Sequence, residues 1–157
     1  MSRNEIHVDA PPEAVWSVLA DPETYDQWVV GASHIRAAEP DFPAPGATFH
    51  HAQGVRPVTI EDTTTALAAE RPHRLTLLVR VRPIVIGRVD FELIAEDGGT
   101  RVRMHEQPVA GFLAPLHNPL LDLLFKARNG ETLRRLKRLA EERARSGVPA
   151  EAAVQAA

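Results

Sequence analysis

Glu106, Asn129 and the adjacent pair His50-His51 are polar residues set inside apolar patterns, and their spacing decides what chemistry each can do. Glu106 follows Val102 and Met104 at intervals of two, so strand alternation carries it onto the same apolar face, at the strand end where a sheet would open. A carboxyl group against apolar walls has its pKa raised by desolvation and can act as acid, base or hydrogen-bond anchor. The competing reading is that Glu106, just before Pro108, has already left the sheet for solvent. Asn129 lies four residues after Phe125 and four before Leu133, on the apolar stripe of a helical segment where asparagine has poor propensity. It either reaches into the interior or satisfies a structural bond, and Gly130 beside it suggests a bend. His50 and His51 lie in GATFHHAQG, read as a strand, where adjacent residues face opposite ways and so cannot easily grip one metal ion. One of the two is expected inside, and Phe49 shares a face with His51; an inward histidine serves either as a core residue or as a proton carrier.

Several chemistries are excluded at once. There is no cysteine, hence no disulfide, thiolate zinc site or cysteine nucleophile. The serine-hydrolase elbow G-x-S-x-G, the zinc motif H-E-x-x-H and the phosphate-cradling G-x-x-x-x-G-K and G-x-G-x-x-G patterns are absent, so no metal and no cofactor is expected. A net charge of −3, from 18 basic and 21 acidic residues, gives no global field toward nucleic acid. The basic run RRLKRLAEERAR at 134–145 is broken by Glu141 and Glu142 and reads as a solvated helix face. No run approaches the ~20 apolar residues of a membrane span, and MSRNEIHVDAPP does not have the form of a secretory leader, so a cytoplasmic location is expected.

These residues need elements to position them. With 157 residues the chain can bury roughly two-thirds of its unfolded surface in one core; residues 1–145 are expected to form one domain and 146–157 a disordered tail. RNEIHVD at 3–9 alternates as a strand, and Pro12 suits the first turn of a helix bearing Val15, Val18 and Leu19. Asp21-Pro22 stops that helix, and Asp21 can cap a second one ending at Trp28. From Ser33 to about Val109, turn signals at 43–46, 71–72, 82–83 and 96–99 separate strand-like runs, which makes a meander. The clearest hairpin is FELIAEDGGTRVRM, where Asp97-Gly98-Gly99 is expected to supply the positive φ values a tight connection needs. After Pro115 and Asn118-Pro119, apolar residues at 120, 121, 124, 125, 133, 136, 139 and 140 form the stripe of one long helix.

Alternation then assigns faces. Leu75, Leu77, Val79 and Val81 share one side, followed by Val85, Gly87, Val89, Phe91 and Leu93, then Val102 and Met104; Arg80, Arg82, Arg88, Asp90, Glu92, Arg101, Arg103 and His105 point the other way. Three strands with one apolar and one charged face describe an antiparallel sheet solvated on one side. Only the C-terminal helix is long enough to cover the apolar face. A sheet bent around a single helix leaves space between them, the usual form of a small-molecule site. Phe49, Leu77, Val79, Val89, Phe91, Met104 and Phe125 are its expected apolar lining, beside Glu106, Asn129, His50 and His51.

The order of elements, together with APPEAVWSVLADPETYDQW (10–28), PAPGATF (43–49), GGTRVRMHEQPVAG (98–111) and NPLLDLLFKARNGETLRRLKRLAE (118–141), resembles the START-like superfamily that includes polyketide cyclases and dehydratases, the SRPBCC group, over residues 4 to about 143. The resemblance implies an α+β helix-grip fold: a curved antiparallel sheet of about six to seven strands wrapped around a long C-terminal helix, with two short helices after the first strand. It also puts Trp28, Glu106 and Asn129 where cavity walls are expected. Its members include carriers of lipids and hormones, aromatase/cyclases and co-chaperone domains, so three functions stay open: binding of a small hydrophobic or aromatic metabolite, a cyclase or dehydratase using Glu106 or an inward histidine for proton transfer, and a protein-interaction domain.

Overall fold

The computed structural model describes residues 2–55, 58–81, 85–110 and 119–147. The chain opens with strand β1 (Ser2–Val8), in which Ser2 and Val8 are buried while Arg3, Glu5 and His7 are exposed, the alternation of a strand with one wet face. Pro12 begins helix α1 (Pro12–Leu19) at a position where its missing N–H has no partner to lose. One face of α1 puts Val15, Val18 and Leu19, with Trp16, into the core. The Asp21 carboxylate then accepts from the Glu23 backbone N–H at 3.1 Å and caps a 3-10 turn (Pro22–Thr24) that runs into α2 (Tyr25–Trp28).

Six strands follow: β2 (Ala32–Ala38), β3 (Thr48–Val55), β4 (Val58–Glu70), β5 (Arg74–Val81), β6 (Val85–Glu96) and β7 (Gly99–Ala110). All seven pair antiparallel in the order β1-β7-β6-β5-β4-β3-β2, so the meander is closed at one edge by the N-terminal strand. The faces fall as alternation requires: Leu75, Leu77, Val89, Phe91, Leu93, Val102 and Met104 are buried on one side. On the other, Arg103 bridges Glu5 and Glu92, Arg101 bridges Glu96, and Arg88 holds Asp90. The expected turns at 82–83 and 115–118, the tail beyond 147, and the side chains of Val81, Val85 and Leu121 lie outside the described residues.

The β6–β7 hairpin departs from expectation in one detail. Only Gly98 has a positive φ, +81°; Asp97 and Gly99 do not. Gly99 is needed for space instead, because a Cβ there would collide with the Val8 carbonyl oxygen, where β1 pairs alongside β7.

The last element is α3 (Pro119–Ser146), a helix of 28 residues that runs unbroken through Asn129 and Gly130. Thr132, Leu133, Leu136 and Ala140 are buried, and the helix packs chiefly on β1, α1 and α2. Its polar residues hold it there: Lys137 reaches Asp9 and the His7 carbonyl, and Arg143 reaches the Ser17 carbonyl and Asp21. The basic run is therefore only partly a solvated face. Among the described side chains the first half of the apolar stripe is less covered than the second: Leu120 and Leu124 are 71% and 64% exposed, as is neighbouring Leu123 at 63%, and Phe125 is half-buried. Length explains this. A helix of 28 residues spans about 42 Å at its usual rise, whereas the seven residues of β1, its main support on the sheet, span only about 23 Å.

Candidate functional site

Pairing register sorts the inner face into rungs. Glu106 on β7 stands opposite Val89, then Leu77 and Ala66; the next rung runs Gly87, Val79, Thr64, Phe49; the one beyond pairs Asp62 with His51 and reaches Ile35. Two groups of polar side chains interrupt this apolar surface, one at each side of the sheet.

The first is built on β7 and α3. Glu106 faces inward, its side chain 17% exposed, and both carboxylate oxygens accept hydrogen bonds. Nη2 of Arg128 donates to Oε1 at 3.1 Å and to Oε2 at 3.3 Å, and Nδ2 of Asn129 donates to Oε2 at 2.6 Å. Arg128 Nε donates in turn to Oδ1 of Asn129 at 3.2 Å, and its guanidinium lies over the Phe125 ring, 5.5 Å from the centroid. Asn129 is buried, with its amide satisfied on both sides. Close by, the Ser2 hydroxyl bonds Asn4 at 2.8 Å and Asn4 Nδ2 donates to the Lys126 carbonyl at 2.9 Å, which fastens β1 to the same stretch of α3. A carboxylate held at both oxygens by protein donors is an anchor, not a mobile acid.

The second group lies on β3 and β4. His51 is buried and His50 is exposed, so of the pair only His51 belongs to the inner face; this corrects the inclusion of His50 in the lining, and strand alternation allows no other outcome. His51 stands opposite Asp62, also buried, and beside Phe49 with ring centroids 5.4 Å apart. Thr64, on the adjoining rung, is buried too. Burial lowers the His51 pKa; Asp62 opposes the shift and His50 adds to it. The imidazole is therefore neutral at neutral pH, the form that can accept a proton.

The remaining expected residues divide. Leu77, Val79, Val89 and Met104 lie on the inner face among these rungs, and Phe125 lies beneath Arg128. Trp28, Phe49 and Phe91 join Tyr25 and Phe42 in an aromatic cluster that locks α2 to the sheet, with Tyr25–Trp28 and Tyr25–Phe49 centroids 4.6 Å apart and Trp28–Phe91 6.0 Å apart. Trp28 is thus a packed core residue, and the low aromatic content does not leave this end of the interior open. The Tyr25 hydroxyl, its pKa driven up by burial and by Asp21, donates to the Leu19 carbonyl at 2.7 Å.

Arg128, Asp62 and Thr64 are the site residues that sequence patterns did not single out. Arg128 follows Leu124 by four residues and Phe125 by three, on the face of the stripe's first half, a spacing that is only a weak signal for a charged residue that reaches Glu106 through its long side chain. Asp62 and Thr64 sit in VTIEDTTTALAAE, where polar residues occupy both faces and no alternation is visible. Among the described residues, no group of three or more His, Cys, Asp or Glu is gathered as for a metal ion, and no helix is long and apolar enough to cross a membrane.

A seven-stranded curved sheet gripping a C-terminal helix, with polar groups set into its apolar inner face, defines a helix-grip protein of the START-like class. The chain belongs to the family described as polyketide cyclase / dehydrase and lipid transport, whose model matches residues 2–141. No curated protein matches it. Among solved structures it is similar to StfQ, a di-domain ARO/CYC from the steffimycin biosynthetic pathway, at 12% identity and a TM-score of 0.69, covering 93% of this chain and 52% of that one. It is similar also to BexL, a di-domain ARO/CYC from the BE-7585A biosynthetic pathway (13%, TM-score 0.65, 90% and 48%), and to a protein of Nitrosomonas europaea (19%, TM-score 0.64, 89% and 93%). The chain spans about half the length of the two di-domain proteins. At these identities the likeness establishes the fold.

Proposed function

We propose that the chain binds a small hydrophobic or aromatic molecule between the inner face of its sheet and α3, with Leu77, Val79, Val89, Met104 and Phe125 as apolar walls. The observation that carries this reading is the placement of polar side chains on both sides of an otherwise apolar interior: buried His51, Asp62 and Thr64 on β3 and β4, and half-buried Glu106 with buried Asn129 where β7 meets α3. Burying a polar group brings no gain unless a partner is built for it, so a core built for stability alone would have few of them. The packing of α3 agrees, because among the described residues its main contacts are with β1, α1 and α2 and not with β3 to β5. Native mass spectrometry of the purified protein should show a co-purifying small molecule, and the uncharged dye N-phenyl-1-naphthylamine should be taken up saturably. A protein that carries nothing and ignores the dye would sink this reading.

A second reading, proton transfer of cyclase or dehydratase type, is favoured by one feature: a buried, neutral His51 directly opposite Asp62. On this reading the histidine, and not the doubly held Glu106, moves the proton. His51→Gln should then lower turnover of a reactive polyketide-like chain by about 100-fold or more with dye uptake unchanged. Equal turnover in the variant removes His51 from the chemistry.

A further inference from the structure

The arrangement at Arg128 points to the polar group such a molecule carries. A guanidinium has five N–H donors, and here Nε and Nη2 are spent on Asn129 and Glu106. Nη1 has no hydrogen bond among the described residues and leaves an open edge, and the group is held over the Phe125 ring. Its charge is matched by Glu106 at 3.1 Å. The open edge is therefore a fixed donor in a locally neutral pair: a carboxylate arriving there would meet a positive charge already compensated and the Glu106 carboxylate close behind it.

We infer that Arg128 is a specificity-determining residue that selects a ligand bearing an uncharged acceptor, a ketone-type carbonyl oxygen, over one bearing a carboxylate. Nη1 donates to the carbonyl and Phe125 packs beside the adjoining apolar part. Glu106 acts through Arg128, aligning the guanidinium and cancelling its charge. The inference rests on the binding reading above, and it predicts behaviour that the binding reading alone does not.

The test uses three naphthalene probes displacing N-phenyl-1-naphthylamine: 2-acetylnaphthalene, its near-isosteric hydrocarbon 2-ethylnaphthalene, and 2-naphthoate. In Arg128→Met the acetyl compound should weaken about tenfold or more, the loss of one hydrogen bond from a charged donor, while the ethyl compound changes little. In Glu106→Gln, which leaves the guanidinium charge unmatched, 2-naphthoate should tighten about tenfold against the wild-type protein. An acetyl-to-ethyl ratio unchanged in Arg128→Met overturns the inference, and so does naphthoate affinity unchanged in a folded Glu106→Gln. If Glu106→Gln does not fold, the Arg128→Met ratio decides alone. Failure of every protein to take up the dye overturns the binding reading as well, whereas dye uptake with unchanged ratios overturns only the role of Arg128.

Discussion

The charge on His51 is set by three neighbours: the apolar interior that strips its water, Asp62 across the strand pair, and His50 next to it. Desolvation dominates, so the folded state holds the imidazole below its ordinary pKa of 6.5, near which the unfolded chain titrates. Between those two values the unfolded state binds more protons, so stability rises with pH across that window and is lost as pH falls below about 6.5, by at most ~1.4 kcal/mol per pH unit. Thermal melts at about pH 7.5 and pH 5.5 should therefore show the midpoint falling on acidification, and His51→Gln should shrink that fall. A variant that loses as much as the wild type would place the acid sensitivity elsewhere. Desolvation pushes the Asp90 and Glu96 carboxyls up, but hydrogen bonds from Arg88 and Thr76 and from Arg101 and His7 outweigh it and hold both below the ordinary carboxylate range. That one of the two histidines faces inward was legible in GATFHHAQG. Which one was not, because the strand's own residues lack alternation and only its pairing with β2 and β4 fixes the face.

At the level of elements, α3 carries one uniform apolar stripe in sequence and two different environments in the fold. Leu136 is fully buried against the elements beneath it, whereas Leu124, three turns earlier, is 64% exposed. Leu136→Ala should cost about 2–5 kcal/mol, and Leu124→Ala less than about 0.5 kcal/mol, as read by denaturant midpoints at constant slope. Equal losses would mean that Leu124 is covered in solution. Periodicity finds a helix face but not where the face stops being covered, since that depends on the reach of β1, α1 and α2. The β6–β7 hairpin gives the same lesson in small: the glycine pair was visible as a turn, yet Gly99 answers to the backbone of β1, more than 90 residues away in sequence.

For the whole molecule, we expect residues 1–145 to unfold as one cooperative unit. The N-terminal strand closes the sheet against β7, and α3 is tied to β1 by Asn4 and Lys137 and to α1 by Arg143. No described element can leave without breaking another's contacts. Trp16 and Trp28 fluorescence and far-ultraviolet circular dichroism should report coincident transitions, and separate midpoints would refute the single unit. The sequence by itself determined the elements, their order and the two faces of β5, β6 and β7, because helix and strand periods and turn residues are local properties carried by a few neighbours at a time. Tertiary structure alone decided what the polar residues do. Glu106 could be placed on the inner face by counting, but its partners Arg128 and Asn129 lie 22 and 23 residues on, in another element. Whether a buried carboxylate is a free acid or a held anchor depends on which donors the fold brings to it, and neither propensity nor spacing records that.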